Sequence, residues 1–210
     1  VTVFAPASVT SALAAQVPAA MWVPWPETTN GTLDPRAMPL LLDRIGTASA
    51  LLVGPGMGRD RYTELVSQEI VQKVECPILL DADALRLRVI EVAQKRNSNY
   101  GRVVLTPHMG EFLRIAKITK LDDPNNILLR FCSFNQVITV LKGPVTRVCD
   151  GESILYNTQG GPVLSRGGSG DILAGLIGAM VAQNNTCVST AVARGCLLYT
   201  SPSPRDREKS

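Results

Sequence analysis

Residues 167–171 read Gly-Gly-Ser-Gly-Asp and run directly into the apolar stretch Ile-Leu-Ala-Gly. Glycines let the backbone approach a bound group closely and turn its N–H groups inward, and a helix start adds the positive end of its dipole. Gly168, Ser169 and Gly170 are therefore candidates to cradle a phosphate or a developing oxyanion. Asp171 stands at the start of the predicted helix, where two chemistries are open. As an N-cap it would satisfy free N–H groups of the first turn, a role worth about 1 kcal/mol. As a general base it would take a proton beside a phosphate bound on the same turn. No Gly-Lys-Ser/Thr follows the glycines, so the turn is not a P-loop.

Four other groups of residues could share that chemistry. His108 is the only histidine and lies in Thr106-Pro107-His108-Met109-Gly110-Glu111. It could be a ligand contact or a structural residue, and Glu111 three positions on could close a capping box. Lys142 opens Lys142-Gly143-Pro144-Val145-Thr146, where a lysine beside glycine suits either a phosphate or an ordinary surface turn. Gly54-Pro55-Gly56-Met57-Gly58 needs a tight turn or the close approach of a ligand. Asp81 and Asp83 are two carboxylates one residue apart, able to hold a metal through water or to fix neighbouring loops.

Each of these groups follows a predicted strand. β-rich runs are expected at 1–5, 20–24, 48–53, 77–81, 102–106 and 137–142, and helical spacing at 34–45, 61–74, 84–95, 110–115 and 171–183. The alternation predicts an α/β fold with a doubly wound, mainly parallel sheet and helices on both faces. Residues 145–149 and 153–156, split by Asp150-Gly151-Glu152, predict a late antiparallel hairpin. Motifs at the carboxyl ends of parallel strands share one edge, which is where open α/β sheets bind ligands.

The 210 residues suffice for one domain with a sizeable core. Apolar residues make up 45% and charged ones 19%, too apolar for a disordered chain. The net charge of +3 includes Arg205, Arg207 and Lys209 near the end of the chain, and without that tail the balance is close to neutral, which leaves no case for nucleic acid or a membrane surface as partner. Five dispersed cysteines without a CxxC pair predict reduced, mostly buried thiols in a cytoplasmic protein. No apolar run reaches the roughly 18 residues of a membrane span. The chain opens on a bare strand at Val1, so a preceding segment is expected. Residues 196–210 turn to Ser-Pro pairs and charges, and are expected to be a disordered or artefactual tail behind a domain spanning 1–195.

The five blocks GPGMG (54–58), LLDADAL (79–85), LTPHMGE (105–111), LKGPVT (141–146) and GGSGDILAG (167–175), in that order, resemble the NAD(P)H-hydrate dehydratase family of the ribokinase-like superfamily. The resemblance covers the chain from Val1 to about Gly195. It implies a lyase of metabolite repair that uses ADP or ATP, with Mg2+, to dehydrate the hydrates of NADH and NADPH (NADHX and NADPHX). It implies that Gly56, Gly58, His108 and Asp171 contact the hydrated cofactor. Lys142, Gly143, Pro144, Val145 and Thr146 would contact the adenine nucleotide, together with Gly170 of the Gly168–Gly170 turn. Asp171 would be the base in phosphorylation of the hydrate hydroxyl, after which phosphate leaves. A fused or separate hydrate epimerase and a homo-oligomer are implied partners. Met109 stands where the family usually has proline, and Ser165-Arg166 where it usually has smaller residues. The alternatives are a small-molecule kinase of the same superfamily, acting on a hydroxymethylpyrimidine, a hydroxyethylthiazole or a sugar, and a non-catalytic nucleotide-binding module.

Overall fold

The computed structural model describes residues 1–120, 122–159, 166–183 and 187–200. Short apolar runs ending at glycine, proline or a carboxylate form the central strands β3 (Leu51–Val53), β4 (Ile78–Leu80), β5 (Val103–Leu105) and β6 (Val137–Leu141). Each pairs in parallel with the next, in sequence order. Every residue of β4, β5 and β6 is buried, as parallel strands covered on both faces must be.

The crossovers are α3 (Arg61–Lys73), α4 (Leu87–Gln94) and the pair α5 (Met109–Ala116) and α6 (Pro124–Asn135). A sheet wound in one direction by right-handed crossovers puts all of these helices on one face. Ile78, Leu80, Val103, Leu105, Val137 and Leu141 accordingly pack with Val66, Ile70, Ile90, Phe112 and Leu128 of the helices. The residues between them, Leu79, Val104, Ile138 and Val140, point the other way, into a second core. That split is the two-residue period of a strand.

The expected hairpin is present. β7 (Thr146–Cys149) runs antiparallel to β6, and β8 (Ile154–Asn157) antiparallel to β7. Asp150 shapes its turn, the Oδ1 atom accepting the backbone N–H groups of Glu152 and Ser153 at 3.1 and 2.9 Å. After the hairpin, α7 (Ser169–Gln183) and α8 (Val188–Thr200) cover the second face, with Leu173, Ile177, Val181 and Val192 in its core. The sheet is thus mainly parallel with helices on both faces, and the second layer comes from the helices after the hairpin.

Three expectations are revised. α8 continues to Thr200, five residues beyond the boundary expected at 195. Cys196 is buried on it, and the Asn157 amide donates to the Cys196 carbonyl at 3.1 Å and the Thr200 hydroxyl at 3.0 Å. Burial pushes the Cys196 thiol up to about 12. Residues 201–210 of the expected tail, like Ser165, lie outside the described residues. Second, the strands expected at 1–5 and 20–24 are β1 (Thr2–Pro6) and β2 (Met21–Trp25), which pair in parallel in a separate two-stranded sheet and not in the large one. Third, α1 (Ala7–Gln16), between them, was not foreseen. Its Ala, Ser and Thr residues form no apolar stripe, and Thr10 is its only buried residue. The β1–β2 unit meets the main core through Trp25, which is 1% exposed, donates to the Asp34 carbonyl at 2.9 Å and takes Phe4 edge-on. α2 (Met38–Ile45) follows a short turn of 3-10 helix at Pro35–Ala37.

Among the described residues no helix is long and apolar enough to cross a membrane. Among the described residues no cysteine is in a disulfide: Cys132, Cys149 and Cys196 are buried, Cys76 is partly buried and Cys187 is exposed.

Candidate active site

The carboxyl ends of β3 to β6 lie side by side, and a chain of contacts ties their loops together. After β3 the backbone turns sharply at Gly54, with φ +130°. A Cβ there would sit 1.8 Å from the Asp81 carbonyl oxygen, so this turn accepts only glycine. Gly56 and Gly58 also adopt positive φ, +70° and +79°. Nothing lies within 4 Å of a Cβ built on Gly56, so the turn leaves open space at that position.

The two carboxylates after β4 serve different loops. Asp83 Oδ2 accepts the Gly58 N–H at 2.9 Å and so fixes the glycine turn. Asp81 is 1% exposed, and its Oδ1 accepts the Thr106 hydroxyl at 2.7 Å and the Lys142 ammonium at 3.0 Å. Ala82 between them has φ 48°, a left-handed conformation uncommon for a residue with a Cβ. Of the two roles open to this pair, fixing loops is the one the geometry displays. Among the described residues no group of three or more His, Cys, Asp or Glu side chains is arranged to hold a metal.

His108 caps α5. The Glu111 N–H donates to its Nδ1 at 3.3 Å, while the His108 N–H donates to Glu111 Oε2 at 2.9 Å, a reciprocal capping box. An accepting Nδ1 assigns the ring proton to Nε2. The side chain remains 61% exposed, so the cap leaves the ring available on the carboxyl edge. Backbone pairing ties this loop to the next: His108 bridges Lys142 in parallel fashion, and the Lys142 N–H donates to the Pro107 carbonyl at 2.8 Å.

Lys142 then reaches α7. A Cβ built on Gly170 would lie 3.4 Å from the Lys142 ammonium nitrogen, which places that cation at the head of the helix. Gly168 has φ +79°, and among the described residues no atom lies within 4 Å of a Cβ added to it or to Gly167. α7 begins at Ser169, which makes Asp171 its third residue, exposed and without a hydrogen-bond partner among the described residues. Asp171 is therefore not the N-cap, and of its two open roles capping is not the one observed. Gly143, Pro144 and Val145 form the turn from β6 into β7, and the Thr146 hydroxyl donates to the Gly143 carbonyl at 3.4 Å.

The structure thus brings Lys142 beside Gly170, the residue before Asp171, and reaches His108 and the Gly56–Gly58 turn through Asp81, Thr106 and Asp83. Thr106 and the divergence of the two aspartates were not singled out in the sequence. Their signal, a hydroxyl and two carboxylates at adjacent strand ends, becomes specific only once the strand order is known.

A one-way parallel sheet, an antiparallel hairpin after it and a glycine turn opening the next helix make up a ribokinase-like α/β fold. The crystal structure of the Bacillus subtilis ADP/ATP-dependent NAD(P)H-hydrate dehydratase, co-crystallised with ATP and Mg2+, shares that fold. Its TM-score is 0.75 at 23% identity, over 95% of this chain and 67% of that one. The bifunctional NAD(P)H-hydrate repair enzyme Nnr of Moorella thermoacetica is 32% identical over 188 residues, 87% of this chain and 35% of that protein. The ADP-dependent (S)-NAD(P)H-hydrate dehydratase of Listeria monocytogenes is 29% identical over 187 residues, 87% of this chain and 61% of that protein. The chain therefore spans about a third of the length of the first relative and under two thirds of the second. The NAD(P)H-hydrate dehydratase family model matches residues 1–202, and the chain belongs to that family.

Proposed function

We propose that the chain dehydrates hydrated NADH or NADPH at the expense of an adenine nucleotide, releasing phosphate. The observation that carries this reading is the Lys142 ammonium against Gly170 at the head of α7, one residue from the exposed Asp171 carboxylate. A cation, first-turn N–H groups and a helix dipole meet there to take a transferring phosphoryl group, with a carboxylate beside them to accept a proton.

In this mechanism Asp171 removes the proton of the hydrate hydroxyl as its oxygen attacks the terminal phosphorus. The bond from that phosphorus to the nucleotide's bridging oxygen breaks, and the shortened nucleotide leaves. The Gly168–Gly170 turn and Lys142 hold the charge on the transferring group. The C–O bond of the new phosphate ester then breaks, inorganic phosphate leaves with the bonding electrons, the neighbouring ring carbon passes its proton to water or to the departing phosphate, and the double bond returns. The Lys142–Thr146 segment positions the nucleotide; Gly56, Gly58 and His108 position the hydrated ring.

Mg2+ is commonly held by one or two carboxylates together with substrate phosphates and water. The lack of a three-ligand cluster among the described residues fits an ion carried on the nucleotide better than one caged by protein. Such an ion neutralises charge on the phosphates. ADP and ATP are both compatible donors. A hydrate epimerase, fused or separate, is the expected partner activity, the cytoplasm the expected setting and a homo-oligomer the expected assembly.

The test mixes the chain with hydrated NADH, Mg2+ and either ADP or ATP, following NADH absorbance and released phosphate together. Recovery of NADH in step with phosphate is expected and names the donor. A folded, nucleotide-binding chain that recovers no NADH would overturn the reading and redirect the search to hydroxyl acceptors that keep their phosphate.

A further inference from the structure

A cavity of about 470 Å³ opens beside the Gly56–Gly58 turn, between the loop after β4 and helices α3, α4 and α5. Its size falls within the usual range of ligand pockets. Four of its lining residues are arginines (Arg59, Arg86, Arg88 and Arg114) against two carboxylates, Glu64 and Asp83. The carboxylates account for two of the cations. Arg59 Nε lies 3.4 Å from Asp83 Oδ1, and Arg88 Nε 3.7 Å from Glu64 Oε1. The other two guanidinium groups rest on neutral backbone oxygens. Arg86 Nε donates to the Asp83 carbonyl at 2.9 Å, and Arg114 Nη2 to the Leu85 carbonyl at 3.3 Å. Carbonyl contacts orient these forks without cancelling their charge.

One donor is conspicuous. Arg86 Nη2 is shielded from solvent and has no hydrogen-bond partner among the described residues. Buried donors in folded proteins are almost always paired, so an unpaired one on a side chain that lines the cavity is a donor that a turn of the guanidinium would offer to an acceptor oxygen. Arg86 also directly precedes α4, whose N-terminus has no side-chain cap, and Leu87 and Arg88 of its first turn line the same cavity. A planar guanidinium fork, a helix start and two uncancelled positive charges suit a phosphate group.

We propose that this cavity is a phosphate subsite that holds the phosphates of the dinucleotide substrate. The link to the substrate rests on the reading under Proposed function. Asp83 makes the connection, since one of its oxygens fixes the Gly58 N–H and the other faces Arg59 of the cavity. A dinucleotide whose ring lies at the Gly56–Gly58 turn then has its phosphates on the arginine side. The adenine nucleotide donor sits apart, at Lys142 and α7.

The experiment titrates the full chain with inorganic pyrophosphate, NADH, NADPH and ADP by calorimetry at low salt. It compares the wild type with Arg86→Gln, Arg86→Lys and Arg114→Gln, each checked for an unchanged thermal transition. Pyrophosphate and dinucleotide binding are expected to weaken about tenfold or more in Arg86→Gln, as loss of a charge-assisted contact does. Arg86→Lys should recover only part of that loss, because it keeps the charge without the fork, and ADP binding should not move. Unchanged pyrophosphate and dinucleotide affinities in folded Arg86→Gln and Arg114→Gln would overturn the subsite. Weakened pyrophosphate binding with unchanged dinucleotide binding would overturn the link to the substrate and assign the cavity to a separate phosphate compound. Arginine-dependent dinucleotide binding by a chain that does not turn over the hydrate would sustain the subsite while removing the proposed reaction.

Discussion

Asp81 and Lys142 are 61 residues apart in sequence, yet their side chains meet at 3.0 Å across the ends of β4 and β6. The pair spans β5, whose terminal Thr106 donates its hydroxyl to the same Asp81 oxygen. The Asp81 side chain is 2% exposed and that of Lys142 20%, so this is close to a buried ion pair. Breaking such a pair by removing one partner leaves an uncompensated charge. Asp81→Ala is expected to cost about 3 kcal/mol, the lower end of the usual range, because Lys142 keeps some access to water. Urea unfolding measures it. The double variant Asp81→Ala, Lys142→Met should recover about 1 kcal/mol or more of the loss, since no charge is then stranded. Equal stabilities of the single variant and the wild type would show that the pair holds nothing together.

Asp171 is exposed and unpaired among the described residues, so its removal disturbs little packing. Asp171→Asn is expected to lower turnover about 10²–10⁴-fold, the usual contribution of a general base, with ADP and ATP affinity nearly unchanged. Turnover and nucleotide binding measured on one preparation decide the matter. Retained turnover would exclude Asp171 as the base.

Much of the fold was legible from the chain because its central strands are short apolar runs closed by breakers. Leu79-Leu80-Asp81 and Val104-Leu105-Thr106 announce both the strand and its end. What stayed hidden follows from physics that is not local. α1 has no periodic apolar face, and α6 is opened by Asp123 and Pro124 in a stretch not marked by strong spacing. The glycine turns and Asp171 could be recognised from residue type. The Asp81–Lys142 pair could not, because it depends on which strands are neighbours. The four arginines of the cavity, spread over positions 59 to 114, are likewise gathered only by the packing of three helices.

Gly54 and Gly56 lie two residues apart with positive φ, but their surroundings differ. A Cβ on Gly54 meets the Asp81 carbonyl oxygen at 1.8 Å, and one on Gly56 meets nothing within 4 Å. Gly56→Ala should cost only the strain of a left-handed L-residue, about 1–2 kcal/mol. Gly54→Ala adds backbone displacement to that strain and should exceed about 4 kcal/mol, the range reserved for severe lesions. Thermal unfolding ranks the two. Comparable losses would mean that the β3 turn can move away from β4.

The capping box separates two roles of His108. His108→Ala removes the acceptor of the Glu111 N–H and should destabilise the protein by about 0.5–2 kcal/mol. His108→Asn supplies another good cap and should keep stability within about 0.5 kcal/mol of the wild type. If the ring also contacts the hydrated cofactor, the asparagine variant will show a raised KM for the hydrate despite normal stability. A normal KM in a stable His108→Asn protein would leave capping as its whole role.

The thiols offer a pH-dependent signature. The Ser189 hydroxyl and then its backbone N–H hold the Cys187 thiol below its ordinary 9.0, against a smaller opposing effect of burial. Burial holds Cys196 up at about 12. Cys132 donates to the Cys149 sulfur, which raises Cys132 and lowers Cys149, and both are fully buried. The thiolate is the reactive form, so reactivity needs a lowered thiol that is also reachable. Of these four only exposed Cys187 meets both conditions. Iodoacetamide should therefore modify Cys187 ahead of Cys132, Cys149 and Cys196 in the folded protein. Its rate should rise with pH and reach half its plateau below the ordinary 9.0, because a depressed thiol ionises earlier as pH increases. Peptide mass spectrometry across a pH series reads both the order and the midpoint. Labelling of Cys196 as early as Cys187 would mean that α8 opens readily from the second face of the sheet. A Cys187 midpoint at or above 9.0 would mean that the Ser189 contacts do not persist in solution.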